Sequence, residues 1–147
     1  MQYQQGKVGR VFVAKIEHGD NLLEELEKLA LLEKIEQANF FVLGAVEKAS
    51  FVVGPKECSV PPNPVWSSFT DGRELLGIGT IFSDGQEPVL HLHGVFGKGE
   101  QSLMGCIRMD TQAYLLVEVI IYELLGVQAK REIDPKLGVK VLKFEKK

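Results

Sequence analysis

The chain has 147 residues, 45% hydrophobic and 25% charged, and 17 basic against 20 acidic side chains give a net charge of −3. This length and composition predict a single globular domain, residues 1–147, with one core and a flexible N-terminus over residues 1–8. The acidic balance disfavours a domain-wide nucleic-acid-binding surface, which would carry excess positive charge. No apolar run reaches the length of a membrane-spanning helix and no secretory signal is visible, so we predict a cytoplasmic protein without membrane contact.

The first third of the chain predicts a strand, a helix and two further strands. Residues 9–16 alternate like a strand, and Asp20 or Asn21 then caps a helix whose apolar positions recur from Leu22 to Ile35. We expect this helix to pack on a sheet. Residues 39–46 and 49–53 read as short strands in antiparallel pairing, with Gly44 marking a bulge or a close backbone approach.

Residues 54–64 contain four prolines, which exclude a central strand or helix and predict a loop. Trp66 follows this loop, either as its anchor in the core or as part of an interface. Two cysteines, Cys58 and Cys106, could form one disulfide, although two free thiols are the simpler expectation for a cytoplasmic chain.

The second half of the chain is predicted to be mostly β-structure. Residues 74–82 and 89–96 flank Asp84-Gly85, a strong hairpin signal, and residues 102–107 return toward the second strand of that hairpin. Residues 113–125 alternate as a strand, and a last strand spans 138–144. The apolar face of 113–125 is predicted to comprise alternate residues: Leu115, Val117, Val119 and Ile121.

His91 and His93 are two of the three histidines in the chain, and Cys106 follows thirteen positions after His93. On a strand, the spacing of two places both imidazoles on one face with Cα atoms roughly 6.5–7 Å apart. Neutral imidazole and thiolate are ligands typical of zinc, and three protein ligands leave a fourth position for water or substrate. The alternative is that both histidines are ordinary sheet residues and Cys106 a small core residue.

Four stretches together resemble the plants-and-prokaryotes-conserved (PPC) domain in its stand-alone prokaryotic form. They are residues 9–26, 74–81, 88–93 with 104–106, and 134–138, and the resemblance spans nearly the whole chain. It implies an α+β domain with a curved, mainly antiparallel β-sheet, one principal helix packed on it, and homotrimer formation.

The resemblance also changes the interpretation of Cys106. After the His-x-His strand the family usually has Gly-Gly-His, and the aligned residues here are Met104-Gly105-Cys106. A cysteine in place of the third histidine is another good zinc ligand, so the comparison favours a retained site of His91, His93 and Cys106. Loss of the site is the rival hypothesis.

Three further side chains are candidates by residue type. Arg108 is two positions beyond Cys106, so on a strand it faces the same side and could hold an anionic ligand such as a carboxylate, or be an ordinary surface arginine. Glu74 and Glu118 could transfer protons. The sequence specifies no nucleophile and base pair, and therefore does not favour an enzyme.

Three functions are consistent with these patterns. The first is a trimeric module that binds a metal and a small anionic ligand. The second is DNA binding, because PPC relatives are often described as predicted DNA-binding proteins, although the Arg-Gly-Arg-Pro hook of the plant members is missing here. The third is a metal-dependent lyase or hydrolase, suggested by the family's similarity in fold to acetolactate decarboxylase with its three-histidine zinc site.

Overall fold

The computed structural model describes residues 1–145 and consists mainly of antiparallel β-structure. The single helix in this part of the chain is α1, Leu22–Leu32. The strands are β1 Lys7–Glu17, β2 Gln37–Pro55, β3 Pro64–Phe69, β4 Arg73–Ser83, β5 Pro88–Lys98, β6 Gln101–Leu125, β7 Ala129–Asp134 and β8 Val139–Phe144.

Six strands form one sheet in the order β1-β6-β5-β4-β2-β3, and β7 pairs with β8 in a separate two-stranded sheet. An additional pairing between β2 and β6 closes β2, β4, β5 and β6 into a ring. Every pairing is antiparallel. The predicted α+β class with a curved, mainly antiparallel sheet is confirmed.

The ring encloses the core, and α1 covers part of it. Phe40, Phe51 and Phe96 are fully buried inside, and the burial of each such side chain stabilises the fold by about 1.5–3 kcal/mol. Along α1, the apolar residues Leu22 and Leu26 have no exposed surface. The predicted packing of this helix on the sheet is therefore confirmed.

Both ends of α1 are capped by hydrogen bonds that the sequence makes possible. Asn21 is the N-cap, and its Oδ1 accepts from the backbone N–H of Leu23 at 3.1 Å. The helix ends at Leu32 rather than Ile35, because Lys34 adopts a left-handed φ of 54°. The N–H of Ile35 then donates to the carbonyl of Ala30 at 2.8 Å, which closes a Schellman turn and buries the Ile35 side chain.

The two strands predicted at 39–46 and 49–53 are one continuous strand, β2, so their predicted antiparallel pairing is wrong. Glu47 and Lys48 lie between the two predicted strands, and the strand continues through them with shifts in its register toward β6. The prediction for Gly44 is confirmed: its φ is 146°, and a Cβ there would lie 2.5 Å from the carbonyl oxygen of Leu116.

The segments predicted at 102–107 and 113–125 are likewise one strand, β6. Leu115 was placed on the apolar face, but its φ is 63° and its side chain is 64% exposed, so that assignment is wrong. The irregular backbone at Leu115 coincides with a register shift opposite Gly44 and Ala45. Ala113 is also buried, the exposed residues 114–116 interrupt the alternation, and it resumes at Val117.

The hairpin between β4 and β5 is confirmed, with Gly85 at a φ of 101° in its turn. Strand β7 was missed, and it forms a second hairpin with the predicted last strand, β8. The N-terminal region predicted to be flexible includes the start of β1, and the side chain of Gln4 hydrogen-bonds to backbone groups of Gln128 and Glu145. In the described part of the chain, no helix is long and apolar enough to cross a membrane.

Candidate metal centre

The structure brings the three predicted metal ligands together on neighbouring strands. His91 and His93 lie on β5, and Cys106 lies on β6 directly opposite His93. The Nε2 atoms of the two histidines are 3.1 Å apart. All three candidate ligand atoms lie within 4.8 Å of one another.

Strand alternation and small residues produce this arrangement. Leu92, between the histidines, points into the core and is 1% exposed, so both imidazoles face outward. Beside Cys106, a Cβ on Gly105 would lie 2.5 Å from the carbonyl oxygen of Val52. The lack of a side chain at Gly105 therefore permits β2 to approach β6 closely, and Val52 of β2 is the register partner of Cys106.

The donor set fits a tetrahedral ion such as zinc. With Zn–N near 2.05 Å and Zn–S near 2.3 Å, tetrahedral ligand atoms would be roughly 3.3–3.6 Å apart. The nitrogens of His91 and His93 are close to that spacing. The full set, which spans up to 4.8 Å, needs an inward movement of about 1 Å, within the reach of a side-chain rotation.

Burial favours the neutral forms of His91 and Cys106 before a metal binds. Burial, with the positive charges of Arg131 and Arg108 and the neighbouring His93, lowers the pKa of His91 to about 4. Burial also raises the pKa of the Cys106 thiol, and the Arg108 charge offsets part of this effect. At neutral pH His91 is therefore a neutral imidazole, whereas the thiol must release its proton on binding a metal.

Arg131, on β7, contacts the site and was missed by the sequence analysis. Its Nη2 donates to Thr80 Oγ1 at 3.0 Å and lies 3.3 Å from His91 Nδ1. A metal-bound histidine normally donates its second N–H to an acceptor, whereas a guanidinium can only donate. Ligation through His91 Nε2 therefore requires a proton on Nδ1 and a shift of Arg131. Arg131 could not be predicted as a site residue because β7 itself was not predicted, since Lys130 and Arg131 resemble a solvated charged face in the sequence.

A cavity of about 890 Å³ adjoins the three ligands. Its apolar wall comes mainly from β2, the proline-rich segment 54–64 and the start of β3. Trp66 lines it and is 49% exposed, so the interpretation of Trp66 as a core anchor is wrong. Arg108 lines the same cavity as Cys106, on the side that the strand spacing predicted.

A second cavity of about 260 Å³ meets the first at His91, Arg108 and Val139. Arg131 and Lys140 also line it. The two glutamates predicted as proton-transfer candidates, Glu74 and Glu118, line neither of these cavities. Both cysteines are free thiols, with Cys58 exposed and Cys106 buried.

The fold is similar to that of several solved structures. A metal-containing protein from Archaeoglobus fulgidus is 21% identical with a TM-score of 0.84, over 96% of this chain and 98% of that chain. A plant- and prokaryote-conserved protein from Pyrococcus horikoshii has the same identity and score over 99% of each chain. A proposed DNA-binding protein from Ralstonia eutropha is 24% identical with a TM-score of 0.77 over 90% of each chain.

These identities establish a shared fold. A comparison with curated proteins found no match. The family comparison is more direct, because the sequence pattern of the Plants and Prokaryotes Conserved (PCC) domain, also abbreviated PPC, matches residues 3–125. That match includes β1 to β6 and all three candidate metal ligands. The chain therefore belongs to the Plants and Prokaryotes Conserved domain family.

Proposed function

We propose that this protein binds a zinc ion through His91, His93 and Cys106 and uses it to hold a small anionic ligand in the adjoining cavity. The observation that carries the proposal is the convergence of these three side chains in the wall of a largely apolar cavity. Such a cavity with a few polar groups is typical of small-molecule sites. The protein would act as a sensor or accessory module.

Zinc is the ion that suits this donor set best, because imidazole and thiolate together select it over hard, oxygen-preferring cations. One thiolate leaves a formal charge of +1 on the zinc site, and the fourth position is free for a ligand. Arg108 lines the same cavity and would attract an anion to that position. A related fold from Archaeoglobus fulgidus is described as metal-containing, which is consistent with a metal here.

Elemental analysis of protein purified without chelators tests the metal proposal. We expect one zinc per chain in the wild type, and a loss of zinc in His91→Ala and Cys106→Ala. Cys58→Ala is the matched control, because this exposed thiol lies outside the cluster and should leave the zinc content unchanged. Wild-type protein that contains no metal, and takes up none on dialysis against zinc, would refute the proposal.

An apolar face of the sheet supports assembly with further copies of this chain, as a homotrimer. Phe41 pairs with Ile78 and Leu43 with Leu76, and all four side chains are substantially exposed. Ile78 is also the register partner of His93 on β5. This patch is thus continuous with the metal centre, and exposed apolar patches of this kind commonly mark interfaces between proteins.

Light scattering coupled to size exclusion tests the assembly. Ile78→Glu should convert trimer to monomer, because it places a charge in the proposed interface. Leu32→Glu is the control, since Leu32 is 77% exposed at the end of α1 and lies outside the patch. A wild-type chain that runs as a monomer at high concentration would contradict the trimer.

DNA binding and catalysis have weaker support. Many of the lysines engage carboxylates, as in Lys15 with Glu17 and Lys98 with Asp71, which reduces the positive potential available to a phosphate backbone. A catalytic carboxylate near the metal would be needed for a lyase or hydrolase, and neither cavity is lined by one within the described residues. The arrangement therefore favours ligand binding over chemistry.

A further inference from the structure

We infer that Arg108 and Arg131 form a subsite for the carboxylate of an organic acid whose apolar body lies against Trp66. This inference rests on the proposed ligand-binding function and names the class of ligand. It assigns a role to Arg131, and it explains why a small cavity lined by two arginines meets a larger apolar cavity at His91. Three observations support it.

The first observation is that the two arginines have no carboxylate partner. Within residues 1–145, neither Arg108 nor Arg131 forms an ion pair with an acidic side chain. Among the residues that the structure describes, no acidic residue lines the smaller cavity, which both arginines line. Its remaining cation, Lys140, is engaged by Asp84 at 3.0 Å. The two guanidinium groups are the charges left for a ligand to neutralise.

The second observation is the surroundings of Arg131. Its Nε is buried without a hydrogen-bond partner among residues 1–145, and its guanidinium lies 5.9 Å from the ring centroid of Phe82. Arg108 lines the same small cavity as Arg131, so two positive charges adjoin one space. Two neighbouring like charges, of which Arg131 is half-buried, raise the free energy of the site, and a bound anion would offset that cost.

The third observation is the continuity of the two cavities. They share His91, Arg108 and Val139, so one molecule can place its acid group at the arginines and extend past the metal centre. Beyond that point the larger cavity is walled by prolines and by Trp66. Such a wall favours an aromatic or branched aliphatic body over a sugar or a bare inorganic ion.

Trp66 is the single tryptophan of the chain, so its fluorescence reports on the larger cavity directly. The probes are 3-phenylpropanoate, its uncharged amide 3-phenylpropanamide, acetate and inorganic phosphate. We expect 3-phenylpropanoate to bind at least tenfold more tightly than each of the other three, because only it combines the carboxylate with an apolar body. Isothermal titration calorimetry gives an independent affinity for each probe.

The variants Arg131→Met and Arg108→Met should each weaken 3-phenylpropanoate binding about tenfold and leave the weak binding of the amide unchanged. Lys7→Met is the matched control, since Lys7 is exposed and lines neither cavity. If Arg131→Met does not fold, Arg108→Met still tests the inference, because Arg108 is exposed on β6 and its replacement should not disturb folding.

Titrations with zinc-loaded and chelator-treated protein separate this inference from the proposed metal function. Charge-selective binding that depends on the arginines but not on zinc would sustain the subsite even if the metal proposal failed. Equal affinities for the acid and its amide, or for the wild type and both arginine variants, would overturn the subsite while leaving zinc binding intact. Phosphate binding as tightly as 3-phenylpropanoate would overturn the apolar part of the inference.

Discussion

Arg10 and Arg131 show how differently the same side chain is used in two regions of this fold. Arg10 donates to both carboxylate oxygens of Glu123 on β6 and also to Glu33 at the end of α1. Arg131 contacts a threonine and a histidine and forms no ion pair with an acidic side chain in the described chain. Arg10 therefore links β1 to β6 and to the end of α1.

The difference indicates which region of the fold has positive charges without a neighbouring negative charge. Around Arg10, charged groups compensate each other, and Glu123 is almost enclosed, with its side chain 13% exposed. Around Arg131, a second arginine and two histidines lie together, and no carboxylate of the described part of the chain joins them. Unpaired, partly buried charges are a common property of functional sites, since a ligand rather than the protein supplies the counter-charge.

The largest expected effect is a difference in how the two regions respond to acid. His91 has a folded-state pKa of about 4 against 6.5 when unfolded, so the unfolded chain takes up its proton first as pH falls. Stability should therefore decline between about pH 6.5 and 4, by about 2 kcal/mol after allowance for partial exposure. Urea unfolding of chelator-treated, metal-free protein at a series of pH values measures this slope.

Two variants test which of the two regions causes this dependence of stability on pH. His91→Gln should flatten the decline between pH 6.5 and 4. Glu123→Gln should leave that decline in place and change the pH dependence of stability only at lower pH. Arg10 lowers the pKa of Glu123, so the stabilisation by this carboxylate is lost as pH falls through its folded-state pKa. If the stability of His91→Gln depended on pH above 4.5 as steeply as that of the wild type, protonation of His91 would not be the cause of the decline.

The next effect is smaller and concerns metal affinity. Arg131→Met should tighten zinc binding about tenfold, because it removes a positive charge near the ion and frees His91 Nδ1 to carry a proton. The same substitution should weaken binding of an organic acid, so the two affinities move in opposite directions. Competition with a zinc-binding dye measures the first affinity, and Arg10→Met is the control that should leave it unchanged.

Zinc binding that weakens in Arg131→Met would contradict this expectation. It would indicate that Arg131 orients His91 for ligation, instead of competing with it. The two roles make the same static contact, at 3.3 Å between Nη2 and Nδ1, and only the direction of the change in affinity separates them.

The ligand cluster could be predicted from sequence because its geometry is local. His91 and His93 are two residues apart on one strand, and Cys106 returns on the next strand of the same antiparallel run, so alternation and a short connection place them together. The cap of α1 at Asn21 and the turn at Gly85 were equally readable, because each depends on a few adjacent residues.

The remaining features depend on contacts distant in sequence. The continuity of β2 through Glu47 and Lys48 is set by β6, whose register shifts accommodate two polar residues that resemble a turn. Arg131 reaches His91 from forty residues away, through a hairpin whose first strand has little apolar alternation. Trp66 is at the cavity because β3 pairs with the far end of β2, which composition alone does not reveal.

The smallest expected effect separates the two arginines by stability. Arg10→Met leaves the enclosed carboxylate of Glu123 without its partner and should lower the midpoint of thermal unfolding by a few degrees. The double variant Arg10→Met/Glu123→Gln should recover part of that loss, because no charge then remains unpaired. Arg131→Met should change the midpoint less, since relief of repulsion with Arg108 offsets the lost hydrogen bond to Thr80. A larger loss in Arg131→Met than in Arg10→Met would make Arg131 a scaffold residue, and its unpaired charge would then no longer point to a ligand.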